Sequence, residues 1–506
     1  MIVGFLPLDS RPCTYDIPVQ LARQAGAEVL LPPEELMGNY KNGSDVNAIA
    51  SWLRRTAPKC DALVVSAEQL IHGGLIQSRQ MSAGVDEQIR RLNVLREISQ
   101  EVPGLPIYLS NVLMRTSISA VDAQTAEWWG KINEYSKLYY REQMCGDAKA
   151  ARQRCALERE IPSQVLDTFI AARRVNHAIN RACIELAAQG IVCELSLRQE
   201  DCAPEGLQRF EQEVLLRDIE KFGISDRVSL CNGTDEAGSE LLQRAIHPEG
   251  AEVDVVWLGG QSDFIALFED RPFRENLKCH MHELSLKEKP GAARVLFIFP
   301  PKLEQHEASD GRSLEGFDYT QQELETLCEE IAEYVQRGKR CFLLDLDHTN
   351  GGNSTLLKCL AQMVPVSLLC GYSSWNTASN SLGTLLAQIL ASGEENSAAN
   401  QAFTTERILD DALYQGIVRT QAMKRLQAVG DDIYNIQDRF RAEQILQHEF
   451  DSLSPLLEKI FGGSVPQFTV RLRWPRLFEV AIFAPKSGGP VYGQAVGSNQ
   501  PDDGCR

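Results

Sequence analysis

Short apolar runs of strand length alternate with longer helical patterns through the first four-fifths of the sequence. Each run is continuously apolar rather than alternating, which is typical of strands that are covered on both faces in a parallel sheet. Residues with helical periodicity fill the intervals, so the pattern predicts an α/β fold with mostly parallel sheets. The predicted strands are 2–6, 28–31, 62–65, 107–109, 192–197, 228–230, 253–258, 295–299, 342–346 and 366–369.

Two architectures fit ten such strands. Eight of them could close a (β/α)8-type barrel with insertions, which would bring all strand-end loops to one rim. Alternatively, residues 1–250 form one Rossmann-like α/β unit and residues 251–395 form a second, with the active-site loops in the cleft between them. The separate group of four strands after residue 250 favours the two-unit arrangement.

Three segments depart from the alternation of strands and helices. Residues from about 122 to 189 are helical in pattern without a strand, which predicts a helical insertion in the N-terminal unit. Residues 396–485 combine helical patterns with a short apolar stretch, and we predict a small helical and β accessory unit there. Residues 486–506 are rich in Gly, Ser and Pro, which predicts a flexible tail.

The charge balance limits the partners that the protein can have. The chain has 506 residues, with 51 Lys and Arg against 69 Asp and Glu, so its formal net charge is −18 at pH 7. No Lys/Arg-rich run is available to meet phosphates, which argues against nucleic acid and membrane surfaces as partners. The apolar runs are far shorter than the roughly twenty residues that a membrane-spanning helix needs. Because the start reads as a buried strand rather than a basic secretion leader, we expect a cytoplasmic protein.

The fourteen cysteines are scattered, without a Cys-x-x-Cys pair or a zinc-finger spacing. In a reducing compartment this usage predicts buried thiols rather than disulfides. The CHMHE segment, which contains Cys279, His280, His282 and Glu283, resembles a metal-ligand set by composition. Its neighbourhood is charged and typical of an exposed loop, so we interpret these histidines as incidental.

Polar side chains follow several of the predicted strands. They are Asp9 and Arg11 after the first strand, Glu68 and Arg79 after the third, and Asn111 and Arg115 after the fourth. The carboxyl ends of parallel strands meet at one edge of a sheet, so we expect these side chains to bind substrate together. Each also has a simpler interpretation, because Asp9 and Arg11 could form a surface ion pair and Arg115 could be a solvated arginine.

Adjacent carboxylates follow the next strands, namely Glu200 with Asp201 and Asp235 with Glu236, and Asp345 ends a later strand. Paired carboxylates suit general acid/base catalysis, because proximity and burial push their pKa values apart so that one donates a proton and the other accepts it. We therefore predict catalytic residues among these five. Asp235 could instead cap a helix N-terminus.

A group of amide, carboxylate and aromatic residues follows the last strands. Its members are Asp347, Asn350, Trp375, Asn376 and Asn380. An aromatic ring can cover the apolar face of a sugar while amides bind its hydroxyls, so we predict substrate-binding roles for this group. Trp375 could equally be a core residue. Asp345, Asp347 and His348 could instead bind a divalent metal.

Several strand-end motifs are specific as a set, although none is specific by itself. They are PLDSRP, EQLIHGGLIQSR, SNVLMR, EDCAPEG, NGTDEAG with LLQRA, DLDHTNGG and GYSSWNTASNSLGT. In these motifs the chain resembles the bacterial family known as domain of unknown function 4127, over roughly residues 1–395. The resemblance implies a shared α/β fold and one common polar site, and it implies no particular activity.

These observations favour a hydrolase that acts on a carbohydrate-like polar substrate, with a glycosidase as the specific hypothesis. One alternative is a metal-dependent hydrolase, in which a divalent metal would be the cofactor. The other is a non-catalytic protein that binds or senses a small molecule in the same pocket. The first hypothesis requires no cofactor, and the partner in all three is a small polar molecule. The sequence is also compatible with a homo-oligomer.

Overall fold

The strands form two open parallel sheets and two short pairs. The computed structural model of the protein describes residues 1–80, 84–310, 318–462 and 465–483. In chain order the strands are β1 (Ile2–Leu6), β2 (Glu28–Leu30), β3 (Ala62–Ser66), β4 (Ile107–Leu113), β5 (Glu194–Gln199), β6 (Val228–Asn232), β7 (Glu252–Trp257), β8 (Lys287–Glu288), β9 (Arg294–Phe299), β10 (His306–Glu307), β11 (Arg340–Asp345), β12 (His348–Thr349), β13 (Gly371–Ser373), β14 (Thr469–Leu472) and β15 (Val480–Phe483).

The first sheet has the order β2-β1-β3-β4-β5-β6 and the second has the order β13-β11-β9-β7-β8. All pairs within both sheets are parallel. The short strands β10 and β12 pair in parallel, whereas β14 and β15 form an antiparallel hairpin. The predicted α/β class with mostly parallel sheets is therefore confirmed, and its strands form two open sheets rather than one closed barrel.

The register of the first sheet aligns the ends of its strands. Leu113 at the end of β4 pairs with Gln199 at the end of β5, and Gln199 pairs with Asn232 at the end of β6. Side chains that follow these strands consequently start from one edge of the sheet. The sheet packs through buried aliphatic residues such as Leu63, Leu109 and Leu197 against the neighbouring helices.

One predicted strand is wrong. Residues 366–369 do not form a strand, because Val366–Leu368 is a short 3₁₀ helix that follows Pro365. Leu368 is 49% exposed while Val366 and Leu369 are buried, so the run is not buried continuously as a strand inside a parallel sheet would be. The last strand of the second sheet begins later, at Gly371, and pairs with β11.

Helices surround both sheets. In chain order they are α1 (Asp16–Gln24), α2 (Val46–Thr56), α3 (Ala67–His72), α4 (Leu75–Ser78), α5 (Val85–Arg91), α6 (Asn93–Glu101), α7 (Ala123–Cys145), α8 (Ala148–Glu160), α9 (Ser163–Ala188), α10 (Gln208–Phe222), α11 (Ala237–Ile246), α12 (Phe273–Glu283), α13 (Gln321–Gln336), α14 (Ser354–Ala361), α15 (Ala378–Ala391), α16 (Ala398–Arg407), α17 (Arg419–Ala428), α18 (Arg439–Ser452) and α19 (Ser454–Phe461). Short 3₁₀ turns occur at Glu34–Leu36, Ala57–Lys59 and Ala308–Asp310. Side chains cap several helix N-termini, and Asp122 and Thr320 each form a capping box at α7 and α13.

Two segments outside the parallel sheets bear on the site. Helices α7, α8 and α9 lie in sequence between β4 and β5, and a fully buried π-helix, Ile408–Val418, joins α16 to α17. The predicted boundaries between the structural units, at residues 250, 395 and 485, stay predictions. The predicted tail, 486–506, lies outside the described residues.

The structure corrects the prediction for the cysteines. Cys231 on β6 and Cys279 on α12 form a disulfide, with an S–S distance of 2.01 Å. The two residues are 48 positions apart, so no local spacing marks them as partners. In the part of the chain that the structure describes, no helix combines the length and the apolar character that crossing a bilayer requires.

Candidate functional site

A cavity of about 350 Å³ lies among the loops that follow strands of both sheets. Most of the residues singled out in the sequence line it: Asp9, Arg11, Arg79, Arg115, Glu200, Asp201, Asp235, Asn350, Asn376 and Asn380. They come from loops after β1, β4, β5, β6, β12 and β13, together with Arg79 at the end of α4 and Asn380 in the first turn of α15. Loops at the ends of the parallel strands thus bring distant parts of the chain together at one cavity.

Arg11 is the centre of one half of this cavity. Its Nε donates to both oxygens of Asp9, each at 2.9 Å. Its Nη1 and Nη2 donate to the two oxygens of Asp235 at 3.0 and 2.6 Å, which is a bidentate pair. Glu479 lies 3.4 Å from Nη1. One guanidinium therefore fixes the positions of two carboxylates that the sequence separates by more than two hundred residues.

The two carboxylates beside Arg11 have opposite pKa shifts. Burial raises the pKa of Asp235, and the pairing with Arg11 offsets this only in part. Burial acts on Asp9 as well, but Arg11 and the hydroxyl of Thr14 together lower its pKa below the ordinary value. Asp9 is therefore suited to stay ionised, while Asp235 is the better proton carrier.

Asn376 and Asn380 hold the loop that carries Asp235. Asn376 Nδ2 donates to Asp235 Oδ2 at 3.2 Å. The Oδ1 atom of Asn380 accepts from the backbone N–H groups of Thr234 and Asp235, each at 3.1 Å. Residues at the start of α15, which follows β13 of the second sheet, thus position the loop that follows β6 of the first sheet.

Two further arginines define the other half of the cavity. Arg79 forms an ion pair with Glu200, and Arg115 forms one with Asp201. Burial lowers the pKa of Arg79, and the nearby Arg115 lowers it further. Burial likewise lowers the pKa of Arg115 to about 10. Asp201 is the more open of the two acids, since 26% of its side chain is exposed against 6% for Glu200.

Four buried polar atoms on residues that line the cavity lack a hydrogen-bond partner among the described residues. They are Nε of Arg79, Oε2 of Glu200, Oδ1 of Asn350 and Nε of Arg115, which lies 3.7 Å from Glu200 Oε1 and so beyond hydrogen-bond distance. A buried polar group without a partner is costly, so such groups point to a missing ligand or solvent. This set contains two donors and two acceptors.

Backbone strain is concentrated around the cavity. Among the described residues other than glycine, five have positive φ angles, and three of these line the cavity: Phe268 at 67°, Asn350 at 58° and Asn376 at 54°. Asparagine adopts this conformation at small cost, whereas a bulky residue such as phenylalanine rarely does. Strained residues cluster at functional sites, which supports this cavity as the site.

The C-terminal hairpin supplies residues that the sequence reasoning missed. Trp474, Arg476 and Phe478 lie between β14 and β15 and line the cavity. Trp474 Nε1 donates to Ser10 Oγ at 2.9 Å, and Arg476 lies over the Trp474 ring at 4.9 Å. The alternation of aromatic and arginine residues in RWPRLFE was the available signal. It lay in a segment that we treated as an accessory unit.

The π-helix holds this hairpin in place. Tyr414 donates its hydroxyl to the carbonyl of Leu477, and Gln415 Nε2 donates to the carbonyl of Phe478 at 2.9 Å. The eleven-residue π-helix therefore lies directly behind this part of the cavity wall. Glu307 is a further lining residue that the sequence did not indicate, and it accepts from Asn350 Nδ2 at 2.8 Å.

Glu68 and Asn111 do not line the cavity. Glu68 is buried and accepts from Asn111 Nδ2 and the Val112 N–H, both at 2.7 Å. Asn111 in turn accepts from Asn180 of α9 at 2.6 Å. These residues therefore tie β3, β4 and α9 together beneath the site. Their predicted contact with substrate has no support in the geometry.

Glu236 lies next to Asp235 in sequence but belongs to a separate buried charge cluster. Its Oε1 is 3.1 Å from Nη1 of Arg198, whose side chain is fully buried and also pairs with Glu240 and Glu283. His280 Nδ1 lies 2.9 Å from Glu240. Burial raises the pKa of Glu236 to about 8, so this glutamate is protonated near neutral pH.

The buried cluster also answers the question of a metal site. Within the described ranges, Glu236, Glu240 and His280 form the one group whose potential ligand atoms all lie within 4.8 Å of one another. The guanidinium of Arg198 already supplies the cation there, at 3.1 Å from Glu236 and 3.2 Å from His280 Nδ1. The residues therefore do not fit a metal ion. The interpretation of CHMHE as an exposed loop was wrong, because it ends helix α12 and His280 is buried.

Asp345, Asp347 and Trp375 also lie outside the cavity lining. Asp345 Oδ2 accepts from the hydroxyl of Tyr372 at 2.9 Å and from the Asn353 N–H at 2.6 Å. Asp347 accepts from Asn353 Nδ2 at 2.8 Å. Trp375 packs in an apolar cluster with α1, which matches its alternative interpretation as a core residue. We therefore assign these three residues to the support of the site.

We expect Asp347→Asn to change how stability depends on pH. Burial raises the pKa of Asp347 from 3.8 to about 6, so the folded state holds a proton that the unfolded state releases. Wild-type stability from this group is present below pH 3.8 and is lost as the pH rises through 6. The variant lacks this loss, so relative to wild type it should gain about 1 to 2 kcal/mol between pH 5 and pH 8. Urea unfolding of both proteins at the two pH values measures the difference, and an equal difference at both would contradict the assignment.

Comparison with known proteins places the chain in a family. The family model described as "Protein of unknown function (DUF4127)" matches residues 3–483. The chain belongs to the DUF4127 family. The match extends beyond the residues 1–395 that suggested it and includes the C-terminal hairpin that lines the cavity.

Other comparisons add little to the family assignment. A search of the curated proteins finds no match to this DUF4127 member. Among solved structures, the chain is similar to HepE of Anabaena in complex with UDP and glucose, with 11% identity over 85% of this chain and 100% of that chain. The TM-score of this likeness is 0.12, so it carries no conclusion about fold or function.

Proposed function

We propose that the protein is a hydrolase that acts on a neutral, carbohydrate-like substrate in the cavity between Arg11 and Arg115. The observation that carries the proposal is the set of unpartnered polar atoms on the cavity residues. Two are donors, on Arg79 and Arg115, and two are acceptors, on Glu200 and Asn350. A hydroxyl group both donates and accepts, so a polyhydroxylated molecule can satisfy such a mixed set.

The charges in the cavity favour a neutral substrate over an ionic one. Arg11, Arg79 and Arg115 are each paired with at least one carboxylate. A phosphate would meet the carboxylates of Glu200 and Asp201, and an organic cation would meet the guanidinium groups. Paired guanidinium and carboxylate groups instead present donors and acceptors side by side, which suits adjacent hydroxyls.

Asp235 and Asp201 are the proposed acid and base. The raised pKa of Asp235 suits it to protonate the oxygen of the leaving group as the glycosidic C–O bond breaks. Asp201, which pairs with Arg115, accepts a proton from a water molecule as the oxygen of that water bonds to the anomeric carbon and the leaving group departs with the proton from Asp235. This assignment takes one carboxylate from each of the two adjacent pairs in which the sequence predicts catalytic residues. Glu200 then binds substrate through its free oxygen.

The alternatives are weaker. A metal-dependent hydrolase built on Asp345, Asp347 and His348 has no support, since these residues are not among the described groups with converging ligand atoms. A non-catalytic sugar-binding protein would use the same hydrogen-bonding groups. What favours catalysis is the position of Asp235 on the cavity wall, where burial raises the pKa of its carboxyl group.

A panel of 4-nitrophenyl glycosides tests the proposal. We expect the purified protein, treated with EDTA, to release nitrophenolate from at least one member. Release that disappears after EDTA treatment and returns with added divalent metal would favour the metal-dependent alternative. Thermal stabilisation by a sugar without any release would favour the binding protein. Neither release nor stabilisation with any sugar would refute the proposed function.

A further inference from the structure

Phe268 is the most strained residue of the cavity wall. Its φ angle is 67°, in the left-handed region that a bulky side chain seldom adopts. Glycine or asparagine would adopt the same conformation with less strain. The presence of phenylalanine therefore needs an explanation beyond the course of the backbone.

Four hydrogen bonds made by three consecutive residues enforce this conformation. The Phe268 carbonyl accepts from the Cys202 N–H at 2.9 Å, next to the catalytic loop after β5. The preceding residue, Leu267, donates its N–H to Gln305 Oε1 at 2.8 Å. The following residue, Glu269, is buried and accepts from the Ser379 N–H at 2.6 Å and from Asn276 Nδ2 at 2.8 Å. The segment is thus anchored to four different parts of the molecule.

The anchored segment places Phe268 on the cavity wall, which the residues proposed for catalysis also line. Phe268 is half-buried, so part of the residue stays accessible. The same wall carries the charged groups of Arg115, Glu200 and Asp201, together with other apolar side chains such as Trp129 and Trp474. An apolar ring among charged groups is suited to cover the C–H face of a sugar whose hydroxyls bind elsewhere.

We infer that Phe268 is a specificity-determining residue, held in a strained conformation so that its ring contacts the apolar face of the substrate. This inference rests on the proposed function. It assigns the substrate class more closely, because it requires a sugar ring with one face free of axial polar groups. The strained backbone at Phe268 lowers the stability of the fold, and it holds the ring in a fixed position for contact with the substrate.

A pair of substitutions separates strain from contact. Phe268→Ala and Phe268→Gly both remove the ring, but only glycine relieves the strain. We expect Phe268→Gly to have the higher Tm of the two, although glycine normally destabilises relative to alanine. The neighbouring Leu267 has no positive φ angle and does not line the cavity, so it serves as the control position. There, Leu267→Gly should have a lower Tm than Leu267→Ala.

The contact is measured with the glycoside that the wild type hydrolyses best. Both Phe268 variants should raise KM about tenfold with little change in kcat, whereas Leu267→Ala should leave both values unchanged. An unchanged KM in the Phe268 variants would overturn the inference while leaving the proposed hydrolase intact. If the wild type binds without hydrolysis, the Kd of the same sugar replaces KM. If no sugar binds the wild type, the proposed function fails and the assignment of Phe268 fails with it.

Discussion

Asp201→Asn is expected to lower kcat for a hydrolysed aryl glycoside by about 10² to 10⁴-fold, which is the usual contribution of a general acid or base. The amide keeps the shape of the side chain but removes the negative charge that promotes attack at the anomeric carbon. We expect the fold to be retained, since the Asp201 side chain is 26% exposed and Arg115 keeps Glu200 as a second partner, 3.7 Å away.

Glu205→Gln is a matched control for this variant. Glu205 lies four residues further along the chain, pairs with Arg141 and is 36% exposed, and it does not line the cavity. Its kcat should stay near the wild-type value. Steady-state kinetics of the three proteins, with circular dichroism to verify folding, decides the matter. A kcat for Asp201→Asn within about threefold of wild type would remove Asp201 from the proposed catalytic pair.

Arg198→Met is expected to cause the largest loss of stability, about 3 to 5 kcal/mol, because it leaves three buried glutamates without their common cation. Arg198 is fully buried and pairs with Glu236, Glu240 and Glu283. Without the guanidinium, burial penalises any carboxylate of this cluster that stays ionised, so the loss should be larger at pH 8 than at pH 5.5.

The control for Arg198 is Arg181→Met. Arg181 also pairs with an acid, Asp218, but its side chain is 52% exposed, and we expect its removal to cost less than about 0.5 kcal/mol. Urea unfolding followed by tryptophan fluorescence at both pH values compares the two variants. If both variants lower the free energy of unfolding by a similarly small amount, the buried cluster around Arg198 does not contribute to stability as proposed.

The sequence was informative where the position of a residue follows from strand topology. Asp9, Asp201 and Asp235 each come within a few residues of the end of a parallel strand, and the sheets bring those ends together. It failed where neighbouring residues point in different directions. Asp235 lines the cavity while Glu236 points to Arg198, and Asn376 lines it while Trp375 packs in the core. The composition of a loop does not specify which of two adjacent side chains enters a site.

Other features depended on long-range packing that no local pattern encodes. The apolar run at 366–369 follows a proline and lies partly at the surface, so it is a turn. Cys231 and Cys279 are brought together only by the docking of α12 on β6. Arg198 did carry a signal, because a charged residue within a strand of a buried parallel sheet requires a buried partner.

The position of the hairpin also determines when the site can form during synthesis. Asp9 and Arg11 are made long before Trp474, Arg476 and Glu479, which lie near the end of the matched region. Arg11 lacks one of its partners, and the cavity one of its walls, until that hairpin has been translated and has docked on the π-helix. The earlier parallel sheet can fold on the ribosome before then, so a nascent chain would carry a folded core without a complete pocket.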